Sequence, residues 1–134
     1  MDEVLVTQEV LDQMIRHAWS ASPEECCGLL FGRANVTRGA LQTSNEARSE
    51  SRFFIPPSEL FGFFRELRAA RAEFTGIYHS HPATPPIPSE SDARELHYRD
   101  VNYWIVSLRG PGPEVRCYRW RRDGFEEVGY KVVE

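Results

Sequence analysis

The sequence predicts an α+β (mixed α/β) domain, and three observations carry that prediction. Stripes at helical spacing alternate with short β-prone runs through most of the chain, the last part reads as an antiparallel meander, and 134 residues is an ordinary length for one core. No linker, internal repeat or low-complexity tract interrupts the pattern, so residues 1–134 read as a single domain.

Thr7 is placed to cap a first helix whose apolar positions Val10, Leu11, Met14, Ile15 and Ala18 keep helical spacing. Ser22-Pro23 ends it, because a residue before proline avoids the α region. Cys26 to Gly32 forms a short apolar strand with glycines at Gly28 and Gly32; Arg33 to Gly39 reads as a turn region, and a second strand runs toward Asn45. Glu46 to Arg52 is a polar loop and Phe53-Phe54-Ile55 a brief strand. Pro56-Pro57-Ser58 opens a second helix with the stripe Leu60, Phe63, Phe64 and Leu67, phenylalanines that belong to the core rather than to a cofactor site. Phe74 to His81 is the next strand, and Ser89 to about Tyr98 a third helix. Asn102 to Leu108 is strongly β-prone, Gly110 to Pro113 turns, and Val115–Trp120 pairs with Gly124–Val133 across Arg122-Asp123-Gly124.

Composition narrows the function. The formal net charge of −4, with charges scattered rather than blocked, argues against nucleic acid as the main partner. Arg116, Arg119, Arg121 and Arg122 cluster locally and read as solvated strand faces. No segment has the roughly 20 consecutive apolar residues of a membrane span, and Met1 to Val6 lacks the basic start and apolar run of a signal peptide. Three cysteines, with Cys26 and Cys27 adjacent, do not make a disulfide framework; they suit a reducing cytoplasm.

The chemistry concentrates between Gly76 and Asp92. His79 and His81 are two apart on a strand, so both imidazoles point to one face. A proline-rich loop then leads to Ser89-Glu90-Ser91-Asp92, which reads as a helix start and returns Asp92 toward the same place. Two imidazoles and a carboxylate form a three-ligand catalytic zinc set with a fourth position left for water. Ser89 and Asp92 also fit a helix N-cap and its N3 partner, and both readings can hold together. Amide cleavage further needs a base and a donor to the oxyanion. Ser89 offers the hydroxyl. Glu25, a carboxylate opening an apolar strand, is the candidate base; otherwise it is a solvated residue like Glu24.

Glu25, then His79-Ser80-His81, seven residues, Ser89, two residues and Asp92 resemble the signature of the JAMM, or MPN-plus, zinc metallopeptidases. Pro23, Gly28-Leu29-Leu30 and Pro82 match its surroundings, and the compact chain resembles the bacterial and archaeal single-domain members. The resemblance implies a JAB/MPN domain, related to cytidine deaminases, with a curved mixed sheet flanked by helices. It implies that His79, His81 and Asp92 hold Zn2+ with a water, that Glu25 takes a proton from that water and passes it to the leaving amine, and that Ser89 hydrogen-bonds the oxyanion. The activity implied is hydrolysis of a peptide or isopeptide bond after the Gly-Gly tail of a ubiquitin-like sulfur-carrier protein. The loops Glu46–Arg52 and Pro82–Pro88 are candidate walls for that tail.

Three rival readings share features with this pattern. A zinc nucleoside deaminase needs His-Xaa-Glu and Pro-Cys-Xaa-Xaa-Cys, and neither occurs. A His-Glu-Xaa-Xaa-His metallopeptidase fails on the same ground. The remaining alternative is a non-catalytic MPN-type scaffold with a structural zinc. His17 and His97 read as surface or packing residues.

Overall fold

Successive strand residues point to opposite faces of a sheet, and in this chain both faces are apolar, so both must be covered. The computed structural model describes residues 3–94 and 96–134. Its elements run β1 (Val4–Thr7), α1 (Gln8–Ala21), β2 (Cys27–Arg33), β3 (Val36–Thr43), α2 (Pro57–Ala70), β4 (Glu73–His81), α3 (Glu90–Arg94), β5 (Asn102–Ser107), β6 (Glu114–Arg121), β7 (Gly124–Val128) and β8 (Tyr130–Val133). One mixed eight-stranded sheet has the order β7-β6-β5-β4-β2-β3-β1-β8. The pairs β4–β5, β1–β3 and β1–β8 are parallel, and β2 pairs antiparallel with both β3 and β4.

The two faces can be read residue by residue. Cys26, Leu30, Tyr78, Trp104, Val106 and Cys117 join Val10, Met14 and Ala18 of α1 in one core. Their neighbours Cys27, Leu29, Ile77, Tyr103, Ile105 and Tyr118 join Phe63 and Leu67 of α2 in the other. By the same alternation His79 and His81 share the α2 side with Ile77. That face carries the chemistry.

Thr7 caps α1 as expected, its Oγ1 accepting from Val10 N at 3.3 Å. Proline opens α2, and Arg71 in the left-handed region closes it. Phe63, Phe64, Phe74 and Tyr98 meet edge-on or tilted beneath α2, which is the core role expected of those phenylalanines. Arg116 pairs with Glu114 and Glu127, and Arg119 donates to Asn102 Oδ1, so the arginine cluster does lie on paired strand faces.

Several expectations are corrected. β1 was not anticipated; its few residues gain meaning only from pairing with the distant β3 and β8. The turn after β2 is confined to Ala34 and Asn35, both at positive φ, and β3 begins at Val36. Phe53–Ile55 is no strand, because Phe54 N donates to the Asn45 side chain instead of to a ladder. α3 ends at Arg94, and Tyr98 is held outside any helix by the Tyr103 hydroxyl; Glu95, inside the expected helix, lies outside the described residues, as do Met1 and Asp2. The single strand expected over Gly124–Val133 breaks at Gly129 into β7 and β8, which occupy opposite ends of the sheet. Since one residue joins them, the sheet must curl until its edges approach. Tyr130 of β8 accordingly packs on Trp104 of β5 and donates to Val115 O at 3.1 Å.

Gly28 marks a tight point of the core. A Cβ there would lie 2.2 Å from Cε2 of Tyr78, a buried ring whose hydroxyl shares a 2.7 Å hydrogen bond with His17 Nδ1. The ring cannot swing away without breaking that bond. Gly28→Ala is therefore expected to cost at least about 1–3 kcal/mol, the usual range for overpacking, read as a lower urea midpoint; an unchanged midpoint would mean the core has slack.

Candidate metal centre

β4 delivers the two imidazoles and α3 the carboxylate. His79 Nε2 and His81 Nε2 lie 3.1 Å apart at the C-terminal end of the strand. Asp92 Oδ1 is 3.2 Å from His79 Nε2, and Asp92 Oδ2 is 3.2 Å from His81 Nε2. All three side chains are buried. Asp92 is aimed by the local grammar of its helix: Asp92 N donates to Ser89 Oγ at 3.1 Å, and Ser89 N donates to Asp92 Oδ2 at 2.8 Å. This reciprocal cap fixes the carboxylate before any ion is considered.

Tetrahedral zinc with ligand bonds near 2.0–2.1 Å separates its ligand atoms by about 3.3 Å. The observed 3.1–3.2 Å separations match that spacing, and one ligand atom from each residue lies within 4.8 Å of the others. His81 Nδ1 lies 2.8 Å from Pro85 O. A carbonyl only accepts, so Nδ1 carries a proton, and Nε2 is the nitrogen that would turn to a metal once it gives up its hydrogen bond to Asp92. His79 is clamped by the Phe53 ring, stacked at 4.5 Å, while its buried Nδ1 has no hydrogen-bond partner among the described residues. His79, His81 and Asp92 can hold a metal ion.

The electrostatics favour the donor set at Asp92 and His79 and run against it at His81. Burial works against the Asp92 carboxylate, but the two histidines and the Ser89 N–H outweigh it and hold Asp92 well below the usual range. Burial lowers the His79 pKa despite Asp92, keeping the ring neutral as a ligand must be. For His81 burial is outweighed by the Asp92 hydrogen bond, the Pro85 carbonyl and the charges of Asp92 and Glu25, and the pKa rises.

Glu25 reaches the same place from the other strand. The register pairs Cys27 with His79, and Ser80 N donates to Cys26 O at 3.1 Å, so continuing that line sets Glu25 level with His81. Cys26 N donates to Ser80 Oγ at 2.8 Å, Glu25 N to Ser49 O at 2.8 Å, and Asn45 Nδ2 to Glu25 O at 3.0 Å. The side chain is 3 % exposed, and its Oε1 has no partner among the described residues. Burial pushes its pKa up to about 8, His81 pulls it down and Asp92 adds to the rise. Glu24 next to it is exposed, so the pair divides as the sequence suggested.

Ser89 is exposed; its hydroxyl accepts from Asp92 N and lies 3.1 Å from the Ser91 hydroxyl. Three residues with positioning roles were not singled out from the sequence. Asn45 donates to Glu25 O and Arg52 O and accepts from Ala47 N and Phe54 N, pinning a whole loop beside the site. Ser80 ties β4 to Glu25's segment, and Phe53 clamps His79. Ser80 had a visible signal, a small polar residue between two histidines; the others depend on contacts that no local pattern announces. Cys26, Cys27 and Cys117 are buried free thiols, and His17 is a packing residue bonded to Tyr78. His97 is exposed at the rim of a cavity of about 260 Å³, walled by Phe53, Ile55, Leu60 and Tyr103, that abuts His79 and Asp92.

This arrangement defines a JAMM-type peptidase, a hydrolase. The family of prokaryotic homologs of the JAB domain matches residues 7–122, and the chain belongs to it. A CysO-cysteine peptidase of Mycobacterium tuberculosis is 30% identical over 134 residues, covering 98% of this chain and 92% of the relative. A desampylase of Haloferax volcanii is 30% identical over 129 residues, 90% of each chain. A solved structure described as JAMM, a metalloprotease-like zinc site in the proteasome and signalosome, superposes with a TM-score of 0.64 at 26% identity, over 99% of this chain and all of the other. The JAB/MPN fold expected from the resemblance is the fold observed.

Proposed function

We propose that the protein is a zinc-dependent peptidase or isopeptidase that hydrolyses the amide bond after the Gly-Gly tail of a ubiquitin-like sulfur-carrier protein. His79, His81 and Asp92 would hold the zinc. When bound, zinc supplies Lewis acidity, polarising an amide carbonyl and making water nucleophilic near neutral pH. Glu25 accepts the proton of the attacking water on its carboxylate and delivers it to the departing amine nitrogen. The Ser89 hydroxyl accepts from Asp92 N and donates to the Ser91 hydroxyl, and it would turn that proton from Ser91 toward the carbonyl oxygen as negative charge develops there. Ser80 and Asn45 hold the backbone around Glu25.

The observation that carries this reading is a buried glutamate whose carboxylate oxygen has no partner among the described residues, set beside two histidines and an aspartate at zinc spacing. A structural zinc would not need that glutamate. The relatives named for cleaving CysO-cysteine and for desampylation support a carrier conjugate as substrate. An extended Gly-Gly tail, lacking side chains, can lie against sheet backbone on its way to the site. The three reduced, buried thiols suit a cytoplasmic setting.

The test is incubation of carrier adducts, extended beyond Gly-Gly, with the zinc-loaded protein, followed by intact-mass measurement. Loss of the extension is expected, stopped by a chelator and restored by zinc. Stoichiometric zinc without cleavage would leave the scaffold alternative standing. Ser89→Ala is expected to slow turnover by about 10²–10³-fold, the usual loss for one oxyanion donor, with zinc content unchanged. A rate within a few fold of the parent would reduce Ser89 to its capping role.

A further inference from the structure

We propose that the cavity of about 260 Å³ beside His79 and Asp92 receives the side chain of the residue that follows the scissile bond, and that this residue is large and apolar. The inference rests on the peptidase reading above and assigns the leaving half of its substrate.

The walls explain the chemistry. Phe53, Ile55, Leu60 and Tyr103 come from the loop before α2, from α2 itself and from β5, and they present apolar surface. The cavity is below the roughly 300–1,000 Å³ of sites that enclose whole small molecules, and one leucine- to phenylalanine-sized side chain suits it. The Asp92 carboxylate lines the cavity with both oxygens turned to the histidines. A charged side chain placed among those apolar walls would lose its water, with His97 at the rim as the polar group nearest at hand among the described residues.

The location fixes which substrate residue enters. His79 forms part of the wall while its Nε2 faces the metal position, so the cavity begins one side chain away from the reacting carbonyl. On the carrier side of the bond both neighbouring residues are glycines, with nothing to insert. The next carrier residue is at least two steps back, about 7 Å along an extended chain at 3.3 Å per residue. The residue immediately after the bond is the one within reach. A lysine joined through its ε-nitrogen would bring only a narrow methylene stem and would leave most of the aromatic wall untouched.

The experiment compares one carrier extended after Gly-Gly by phenylalanine, leucine, alanine, aspartate or an ε-linked lysine, using the zinc-loaded protein. Phenylalanine and leucine adducts are expected to exceed the alanine adduct in kcat/KM by roughly 10–100-fold, the span that an apolar pocket commands, with aspartate slower still. Calorimetry on the Glu25→Gln protein, which leaves the adduct uncut, is expected to show the same order in Kd. Leu60→Trp, which narrows the cavity, is expected to shrink the phenylalanine-to-alanine ratio to a few fold. Equal rates across the series would overturn the assignment while leaving the peptidase reading intact. So would a preference for the ε-linked lysine, or one that follows the residue before Gly-Gly. Failure to cleave any adduct, with zinc bound, would remove the peptidase reading and this assignment with it.

Discussion

Glu25→Gln is expected to abolish hydrolysis while leaving the metal content of the protein unchanged. The substitution keeps the shape of the side chain but removes the only step it is asked to perform, proton transfer, which contributes roughly 10²–10⁴ in rate. His79, His81 and Asp92, whose donor atoms cluster on their own, are untouched. A variant that lost zinc would show Glu25 to be a ligand instead of a base. The same change carries a stability signature. Below pH 4.5 the Glu25 carboxyl is protonated in both folded and unfolded chains. Between 4.5 and about 8 only the unfolded chain ionises, so burial of this group costs progressively more as pH rises, and the cost levels off above 8. In the metal-free protein, glutamine removes that cost. Its advantage over the parent should grow between pH 5 and pH 8 by an amount on the order of 3 kcal/mol, read from urea midpoints in the presence of a chelator. A flat difference across that window would mean that Glu25 is ionised in its pocket.

The second large effect is expected at Asp92. Asp92→Asn keeps a side-chain oxygen to accept from Ser89 N, so the cap of α3 survives. What disappears is the charge facing two imidazoles. Zinc affinity should fall by at least about 100-fold, beyond what loss of an outer hydrogen-bond partner causes. Thermal shift measures it directly: a ligand at a hundred times its Kd adds about 2.7 kcal/mol, or about 10 °C for a chain of this size. Parent and Ser89→Ala should both show the zinc-dependent rise; Asp92→Asn and His81→Ala should not. Full metal occupancy in either would make the ligand set wrong. Without metal, the stability Asp92 contributes is present above its ordinary pKa of 3.8 and is lost as pH falls through that value and below.

The parts of this molecule that could be read in advance were those coded by short spacings. The histidine pair depends on strand alternation, the Ser89–Asp92 bracket on a helix-start pattern, and the α1 stripe on helical period, all local rules. Glu25 stands out as a carboxylate opening an apolar strand, but its meeting with the histidines depends on the register of one strand against another, which no local pattern gives. The same limit hid β1, whose few apolar residues looked like a run-up to the helix. It also hid the break at Gly129: Gly124–Val133 alternates well enough for one strand, and only curling of the sheet sends its halves to opposite edges. The predicted third helix runs on to Tyr98, whereas α3 ends at Arg94 and the Tyr103 hydroxyl claims the Tyr98 backbone, a contact made across the fold. The cavity beside His79 draws its walls from several separated segments, and such a feature has no sequence motif.

Pairing of β1 with β8 joins residues from near opposite ends of the described chain, Val4 beside Tyr130 and Thr7 beside Val133. Contacts so distant along the polymer close late and slowly, since the entropy of a very long loop must be surrendered before any bond rewards it. During synthesis the first strand therefore emerges with one flank bare and stays so until the last strand leaves the ribosome. The metal-bearing strand pairs with β2 and β5 and needs no such wait. The chemical half of the domain is thus the half free to organise first, and closure of the sheet is the step most exposed to misassociation while the chain is being made.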